Sequence, residues 1–166
     1  MKSSQITSHV RAFFTGYCTA FIRLDAPAIM KHFADRVHIA SETGDDVRVQ
    51  VATAAEWRKT IDKLLDMYRA VDFGGAEVTA IETHPLSSRL VQALLTWSLR
   101  NRAGDLLYEF DAVYTLARHD ERFRIISIAH NEIPQYRRCL AQLRSQGSQS
   151  SNTHGESTPP VERAEE

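Results

Sequence analysis

The chain lacks the features that mark several large classes of protein. Its 166 residues include two cysteines and carry a formal net charge of −1, which is neither a disulfide framework nor a basic field for nucleic acid or anionic lipid. No run of residues is apolar for long enough to span a bilayer. The first residues also lack the apolar segment of a signal peptide. We therefore expect a cytoplasmic protein that contacts neither nucleic acid nor a membrane.

Motifs for several common chemistries are also missing. The sequence contains no glycine-rich phosphate loop, no nucleophile elbow and no Cys-x-x-Cys pair, and no two histidines have the spacing of a metal site. Cys18 and Cys139 have apolar neighbours and no ligand cluster nearby, which favours reduced thiols. These absences argue against phosphoryl transfer, triad hydrolysis and structural zinc. We expect neither a metal nor a cofactor.

The N-terminal part is patterned as helices. Apolar residues recur at helical spacing from Ile6 to Phe21, which predicts an amphipathic first helix. The sequence Asp25-Ala26-Pro27 predicts the start of a second helix, because proline costs no hydrogen bond in the first turn. We expect this second helix to end near Asp35.

A hairpin and a third helix follow. Two β-prone runs, Val37 to Ser41 and Val47 to Val51, predict the hairpin. Thr53 and Glu56 have the spacing of a capping box, which predicts that the third helix begins there. Its apolar stripe ends before Gly74.

The rest of the chain alternates with a period of two and then becomes polar. The alternation predicts four strands, at Ala76 to His84, Arg89 to Arg100, Leu106 to Ala117 and Phe123 to His130. A short helix is predicted after Pro134. Helices followed by successive strands indicate an α+β fold, with helices packed over one face of an antiparallel sheet. Residues 1–144 are predicted to form this domain, and the polar residues 145–166 are predicted to be a disordered tail.

The two long central strands distinguish the faces of the sheet. One face is apolar and aromatic, and it carries Trp97, Tyr108 and Tyr114, which could stack on a planar ligand or simply fill the core. The opposite face is mixed. Such a face can meet a second copy of the chain, which predicts a homodimer through the outer face, or it can remain in water.

This order of elements resembles the NTF2-like superfamily, in its SnoaL-like and ketosteroid-isomerase-like branch. The resemblance rests on Tyr17, on the segment Leu24 to Asp35 and on the strand Phe123 to Ser127, and it covers roughly residues 5 to 132. It implies a cystatin-like cone in which a curved sheet and N-terminal helices enclose a pocket, usually in dimers. The superfamily includes isomerases, cyclases, dehydratases and non-catalytic subunits, so the fold alone does not select a function.

Only some of the catalytic residues of the steroid isomerases have counterparts at the matching positions of this sequence. Tyr17 falls where steroid isomerases keep the tyrosine that donates to the developing oxyanion. Ser41 falls where they keep the carboxylate base, and a serine hydroxyl cannot act as that base without a partner. The position of their second donor corresponds to Ala112, and the alternation puts Asp111 on the outer face. We therefore expect the isomerase chemistry itself to be absent.

The same resemblance implies that His130 faces the pocket and that Glu132 lies near the mouth of the pocket. One hypothesis makes His130 the general acid or base, with Tyr17 as donor to a substrate oxygen. Another makes His130 a hydrogen-bonded residue at the end of a strand, and Tyr17 a core aromatic. The candidate ligand contacts are Phe14, Ser41, Trp97, Tyr108 and Tyr114.

Three functions remain open from the sequence. The first is a cofactor-free isomerase, cyclase or dehydratase that acts on a small apolar or aromatic metabolite. The second is a module that binds such a metabolite unchanged. The third is a subunit-assembly module that uses the outer face of the sheet.

Overall fold

The computed structural model describes residues 3–151, which form helices packed on one six-stranded sheet. The helices are α1 (Ser3–Ile22), α2 (Ala26–Met30), α3 (Ala54–Ala70) and α4 (Glu132–Ser151). The strands are β1 (Phe33–Glu42), β2 (Val47–Thr53), β3 (Phe73–Pro85), β4 (Leu90–Asn101), β5 (Leu106–His119) and β6 (Arg122–His130). Among these residues, no helix is both long and apolar enough to cross a membrane.

The strands are arranged in the order β2-β1-β6-β5-β4-β3. Every neighbouring pair is antiparallel except β1 and β6, which run parallel. The sheet is therefore mixed, whereas the sequence predicts a wholly antiparallel one. A parallel pair needs a long crossover, and here the crossover contains α3 and four strands. This pairing aligns Ser41 with His130, two residues that are 89 positions apart.

The two central strands confirm the predicted alternation. The inward residues of β4, from Val91 to Leu99 in steps of two, are all at most 4% exposed. Those of β5 are buried from Tyr108 to Leu116. Leu106, predicted on the same face, is 53% exposed, because the register shifts between Leu99 and Arg100. Asp111 is exposed on the outer face, as predicted.

A bulge in β6 turns the last residues of that strand inward. Ile125 and Ile128 are both buried, although an odd separation would put them on opposite faces of a regular strand. The register with β5 shifts between Thr115 and Leu116, which leaves one extra residue in β6. From the bulge onward Ile128 and His130 face the concave side.

The second helix is shorter than predicted. Asp25 caps it by accepting a hydrogen bond from the Ala28 N–H at 3.0 Å, but it ends at Met30 rather than near Asp35. Phe33 instead begins β1 and pairs with Ile125 of β6. Phe33 is 3% exposed, so burial against the sheet overrides the local helical pattern.

The third helix begins where the sequence predicts, whereas the fourth begins earlier and is longer than predicted. The capping box of Thr53 and Glu56 is present at α3. α4 begins at Glu132, before Pro134, and continues to Ser151. The predicted domain boundary after residue 144 thus lies inside α4, and the disordered tail stays a prediction. Residues 152–166 lie outside the described part of the chain.

Candidate functional site

A cavity of about 410 Å³ lies between the concave face of the sheet and the helices α1, α3 and α4. Its walls are mainly apolar and aromatic, and residues from all six strands contribute to them. Such a shape suits a small ligand with a large apolar surface. The chemistry available to that ligand depends on the few polar groups that reach the cavity.

The first of these groups is Glu132, which is 8% exposed and is the one acid on the cavity wall. The junction that holds it is fixed by Asn131, whose Oδ1 accepts a hydrogen bond from the Asp111 N–H at 2.8 Å. α4 then begins at Glu132, so its carboxyl group lies at the positive end of a helix dipole.

Two phenols hold this carboxyl group. The hydroxyls of Tyr68 and Tyr108 both donate to Glu132 Oε1, at 2.6 and 2.9 Å. No described residue donates to the second oxygen, Oε2, and this oxygen is not among the side-chain atoms sealed from solvent without a partner. Glu132 therefore has one oxygen fixed by the protein and one available to the cavity.

The environment of Glu132 brings its titration close to neutral pH. Burial raises the pKa of Glu132 from near 4.5 to about 7, against the hydrogen bonds from Tyr68 and Tyr108, which lower it. A carboxyl group with that pKa is present in both protonation states at neutral pH. It can therefore either accept or donate a proton.

The second polar group is formed by Ser41 and His130, at the paired ends of β1 and β6. His130 Nε2 lies 2.9 Å from Ser41 Oγ, and His130 Nδ1 lies 3.3 Å from the backbone nitrogen of Glu132. A backbone N–H can only donate, so Nδ1 must accept and the ring proton must be on Nε2. Burial also lowers the pKa of His130, which keeps the ring neutral.

This tautomer decides what Ser41 can do. Because Nε2–H donates to Ser41 Oγ, His130 cannot at the same time take the serine proton. The pair is therefore not an activated nucleophile of the serine–histidine kind. The serine proton is instead free to be donated to an oxygen of a ligand in the cavity. Ser41 is therefore the residue of this pair that can donate a hydrogen bond to a ligand, and His130, by donating to Ser41 Oγ, positions it.

The third polar group is a set of aromatic side chains on α1, β4 and β5. Trp97 Nε1–H donates to the hydroxyl of Tyr114 at 3.0 Å, and the ring of Tyr17 packs edge-on against the ring of Tyr114, with 6.0 Å between their centroids. Burial raises the pKa of Tyr17, and Tyr114 raises it further. Tyr17 therefore remains a neutral phenol.

One donor on the wall has no partner. Trp57 is 6% exposed, and among the residues 3–151 no acceptor lies within hydrogen-bond distance of its buried Nε1–H. Unpaired buried donors are costly and uncommon in folded proteins. An acceptor atom on a bound molecule would remove that cost.

The part of the chain that the structure describes contains no group of three His, Cys, Asp or Glu side chains that could hold a metal ion.

Comparison with known families decides the classification of the chain. A family described as NTF2-like protein (DUF6841) matches residues 7–133. The chain belongs to this NTF2-like family. The match spans most of the residues that form the sheet and the cavity, and it confirms the superfamily predicted from the order of the elements. The SnoaL-like branch stays a prediction.

Solved structures with the same fold are distant in sequence. An NTF2-like protein of unknown function from Shewanella oneidensis is 17% identical, with a TM-score of 0.58, and the match covers 75% of this chain and 98% of that one. A proposed dehydratase of the NTF2-like family from Streptomyces avermitilis is 12% identical, with a TM-score of 0.60 and coverage of 78% and 97%. A proposed calcium/calmodulin-dependent protein kinase II association domain from Xanthomonas campestris is 13% identical, with a TM-score of 0.56 and coverage of 74% and 84%. No match was found among proteins of curated function.

In this NTF2-like chain the structure brings together five of the seven residues singled out from the sequence. Those on the cavity wall are Tyr17, Ser41, Trp97, Tyr114 and His130. Phe14 is not on the wall: it is 2% exposed, and its ring packs against that of Tyr114 at 4.8 Å. Tyr108 is not on the wall either, and it acts on the site through its hydrogen bond to Glu132.

Sequence reasoning did not single out Glu132, Trp57 and Tyr68, which all line the cavity. Trp57 and Tyr68 share the apolar stripe of α3, and this pattern does not distinguish a cavity wall from a filled core. Glu132 comes two residues after an inward histidine, immediately before a helix. That position was a usable signal for an inward carboxyl group.

Proposed function

We propose that this NTF2-like protein binds a small apolar or aromatic molecule in its cavity and catalyses a proton transfer to or from that molecule without a cofactor. Glu132 is the general acid or base, and Ser41 donates a hydrogen bond to the reacting oxygen. The observation that carries the proposal is the single carboxyl group, with a pKa of about 7, on the wall of an apolar cavity.

The reaction class follows from these groups. The Glu132 carboxylate can remove a proton from a carbon next to a substrate carbonyl, forming an O–H bond as the C–H bond breaks. The negative charge moves to the carbonyl oxygen, where the Ser41 hydroxyl can stabilise it. Return of the proton to another carbon gives an isomer. If the neighbouring carbon carries a hydroxyl group, its C–O bond breaks as the C=C bond forms, the protonated Glu132 gives its proton to the departing oxygen, and water and a dehydration product result. The likeness to the proposed dehydratase supports this class at the level of the fold.

Deuterium exchange tests this proposal without knowledge of the substrate. In deuterated buffer at neutral pH, the protein is expected to accelerate exchange at the activated carbon of an aromatic ketone such as 2-tetralone, measured by mass spectrometry. The Glu132→Gln variant removes the base and is expected to lower the rate by about 10²- to 10⁴-fold. Glu109→Gln is the matched control, because Glu109 is exposed on the outer face of β5. Equal rates for Glu132→Gln and the unmodified protein would leave a binding function without proton transfer.

A second function, self-association, is favoured by one feature of the outer face. One row of aligned residues crosses the sheet and is apolar on five adjacent strands. It consists of Val49, Ala40, Ala129, Val113 and Leu94, of which Val49 is 60% exposed and Val113 and Leu94 are each 39% exposed. A second copy of the chain that packs on this row would remove it from water. The likeness to a proposed association domain supports the same use of the fold.

Charge placed in the outer row tests the homodimer. The unmodified protein is expected to sediment as a dimer at micromolar concentration, and the Leu94→Glu/Val113→Glu variant as a monomer. Burying two carboxylates in the interface should raise the dissociation constant by about 100-fold or more. Leu86→Glu is the control, because Leu86 is 64% exposed in the β3–β4 turn, outside the row. A monomer for the unmodified protein would contradict the proposal.

A further inference from the structure

The opening of the cavity is lined by three cationic side chains from three different elements. Arg48 of β2, Lys63 of α3 and Arg137 of α4 are all exposed and all line the cavity, so they lie where it meets solvent. The single acid of the wall, Glu132, is buried. Charge therefore changes along the cavity from positive at the mouth to negative inside.

Two of these cations are not neutralised by the protein. Within residues 3–151, neither Arg48 nor Lys63 makes an ion pair or a side-chain hydrogen bond. The acids nearest to Lys63 along α3 are engaged elsewhere, since Asp62 pairs with Arg58 and Asp66 pairs with Arg69. The mouth thus presents charge that no neighbouring acid on this helix cancels.

The acids of the β1–β2 turn are also engaged or lie off the wall. Glu42 accepts a hydrogen bond from the Gly44 N–H at 2.6 Å, and Asp46 accepts one from the Val47 N–H at 2.7 Å. Asp45 lies on the same turn but does not line the cavity. Arg137 donates to the Thr43 carbonyl at 2.7 Å, which fixes its guanidinium group beside this turn.

The interior of the cavity favours an apolar part of the ligand, whereas its mouth favours a negatively charged part. Its walls are aromatic and aliphatic, and they include Trp97 and Tyr114. A buried anion there would lie near the Glu132 carboxyl group and away from water, which is unfavourable. An apolar ring is favourable in that region, and the unpaired Trp57 N–H adds a place for one acceptor atom.

We propose that the ligand of this cavity is an amphipathic anion, an aromatic or alicyclic ring system that carries a carboxylate. The ring enters first and packs between the sheet and α3, and the carboxylate stays at the mouth between Arg48 and Lys63. This orientation presents the ring, rather than the carboxylate, to Glu132 and Ser41. The inference rests on the proposed function, because it concerns the same cavity, and it adds the charge and the orientation of the ligand.

Matched pairs of probes test the inference by calorimetric titration at pH 8. Each pair shares one ring system and differs in the end group: phenylacetate with 2-phenylethanol, and 2-naphthaleneacetate with 2-(2-naphthyl)ethanol. Within the better-binding pair we expect the acid to bind about tenfold more tightly than the alcohol, an advantage that shrinks as salt rises. The Arg48→Gln/Lys63→Gln variant should lose that advantage without weakening binding of the alcohol.

An equal change of net charge elsewhere is the control. Arg23 and Lys59 are exposed and do not line the cavity, so Arg23→Gln/Lys59→Gln should keep the preference for the acid. If acid and alcohol bind equally, or if both double variants behave alike, the anionic ligand is excluded while binding in the cavity stands. If no member of either pair binds, both the inference and the proposed function fail.

Discussion

Replacing Glu132 by Gln is expected to raise the free energy of unfolding at pH 8 by about 3 kcal/mol. In the unmodified protein the carboxyl group is buried, and its pKa is about 7 instead of near 4.5. The folded state therefore binds this proton more tightly than the unfolded state does. A pKa difference of that size corresponds to about 3 kcal/mol, which the protein loses when the group ionises.

The pH dependence of this stabilisation follows from the same difference in pKa between the folded and the unfolded state. Between pH 4.5 and 7 the folded protein holds the Glu132 proton and the unfolded chain releases it, so the contribution of Glu132 to stability falls as the pH rises through this range. At pH 4 and below, both states are protonated, and the carboxyl group costs little more than an amide. The stabilisation by Glu132→Gln should therefore be large at pH 8 and small at pH 4.

Urea denaturation of both proteins at pH 4, 6 and 8 measures this effect. The difference between the two proteins is the informative quantity, because His130 acts in the opposite direction. Burial lowers the pKa of His130, so its contribution to stability is lost as the pH falls below about 6.5. Glu109→Gln should change little at any pH. A Glu132→Gln variant less stable than the unmodified protein at pH 8 would show that the carboxylate is well solvated in the fold.

Removing both phenol hydroxyls is expected to have the second large effect. In the Tyr68→Phe/Tyr108→Phe variant, Glu132 Oε1 loses its two donors, which now lie at 2.6 and 2.9 Å. These donors stabilise the charged carboxylate, so their loss should raise the pKa of Glu132 further above about 7. A larger fraction of the carboxyl group is then protonated at pH 8, which limits the loss of stability.

The expected cost is about 3 kcal/mol at pH 8 and about half of that at pH 4, where the lost hydrogen bonds are those of a neutral acid. A carbon-13 titration of the Glu132 carboxyl group measures the pKa directly, and denaturation measures the stability. Tyr136→Phe is the control, since the Tyr136 ring packs on Tyr108 but no donation from its hydroxyl to Glu132 is present. A pKa that stays near 7 in the double variant would mean that the two phenols do not hold the carboxylate.

The energetic cost of burying the Glu132 carboxyl group bears on its function. At neutral and higher pH, Glu132 makes the folded protein less stable than a neutral side chain of the same size would. A buried, destabilising carboxyl group at a cavity wall is more often a functional group than a structural one. The deuterium-exchange experiment tests that reading independently of stability.

The sequence by itself determined the kinds of element and the sides of the strands. Period-two alternation in β4 and β5 follows from the pleat, because successive side chains of a strand point to opposite faces. The same local logic located the caps at Asp25 and at Thr53, since a cap depends on residues only three apart. These features depend on neighbours in the chain, and neighbours are what a single sequence shows.

Contacts between distant parts of the chain decided which residues meet at the cavity. Ser41 and His130 meet only because β1 pairs in parallel with β6, and a bulge in β6 turns the end of that strand inward. Glutamates lie mostly on protein surfaces, but burial raises the pKa of the Glu132 carboxyl group, and Tyr68 and Tyr108, from two different elements, hydrogen-bond to it. Register, bulges and the pKa of a buried group depend on contacts between residues far apart in the chain. No local pattern records those contacts, and they are what buries Glu132 in the cavity wall and raises its pKa.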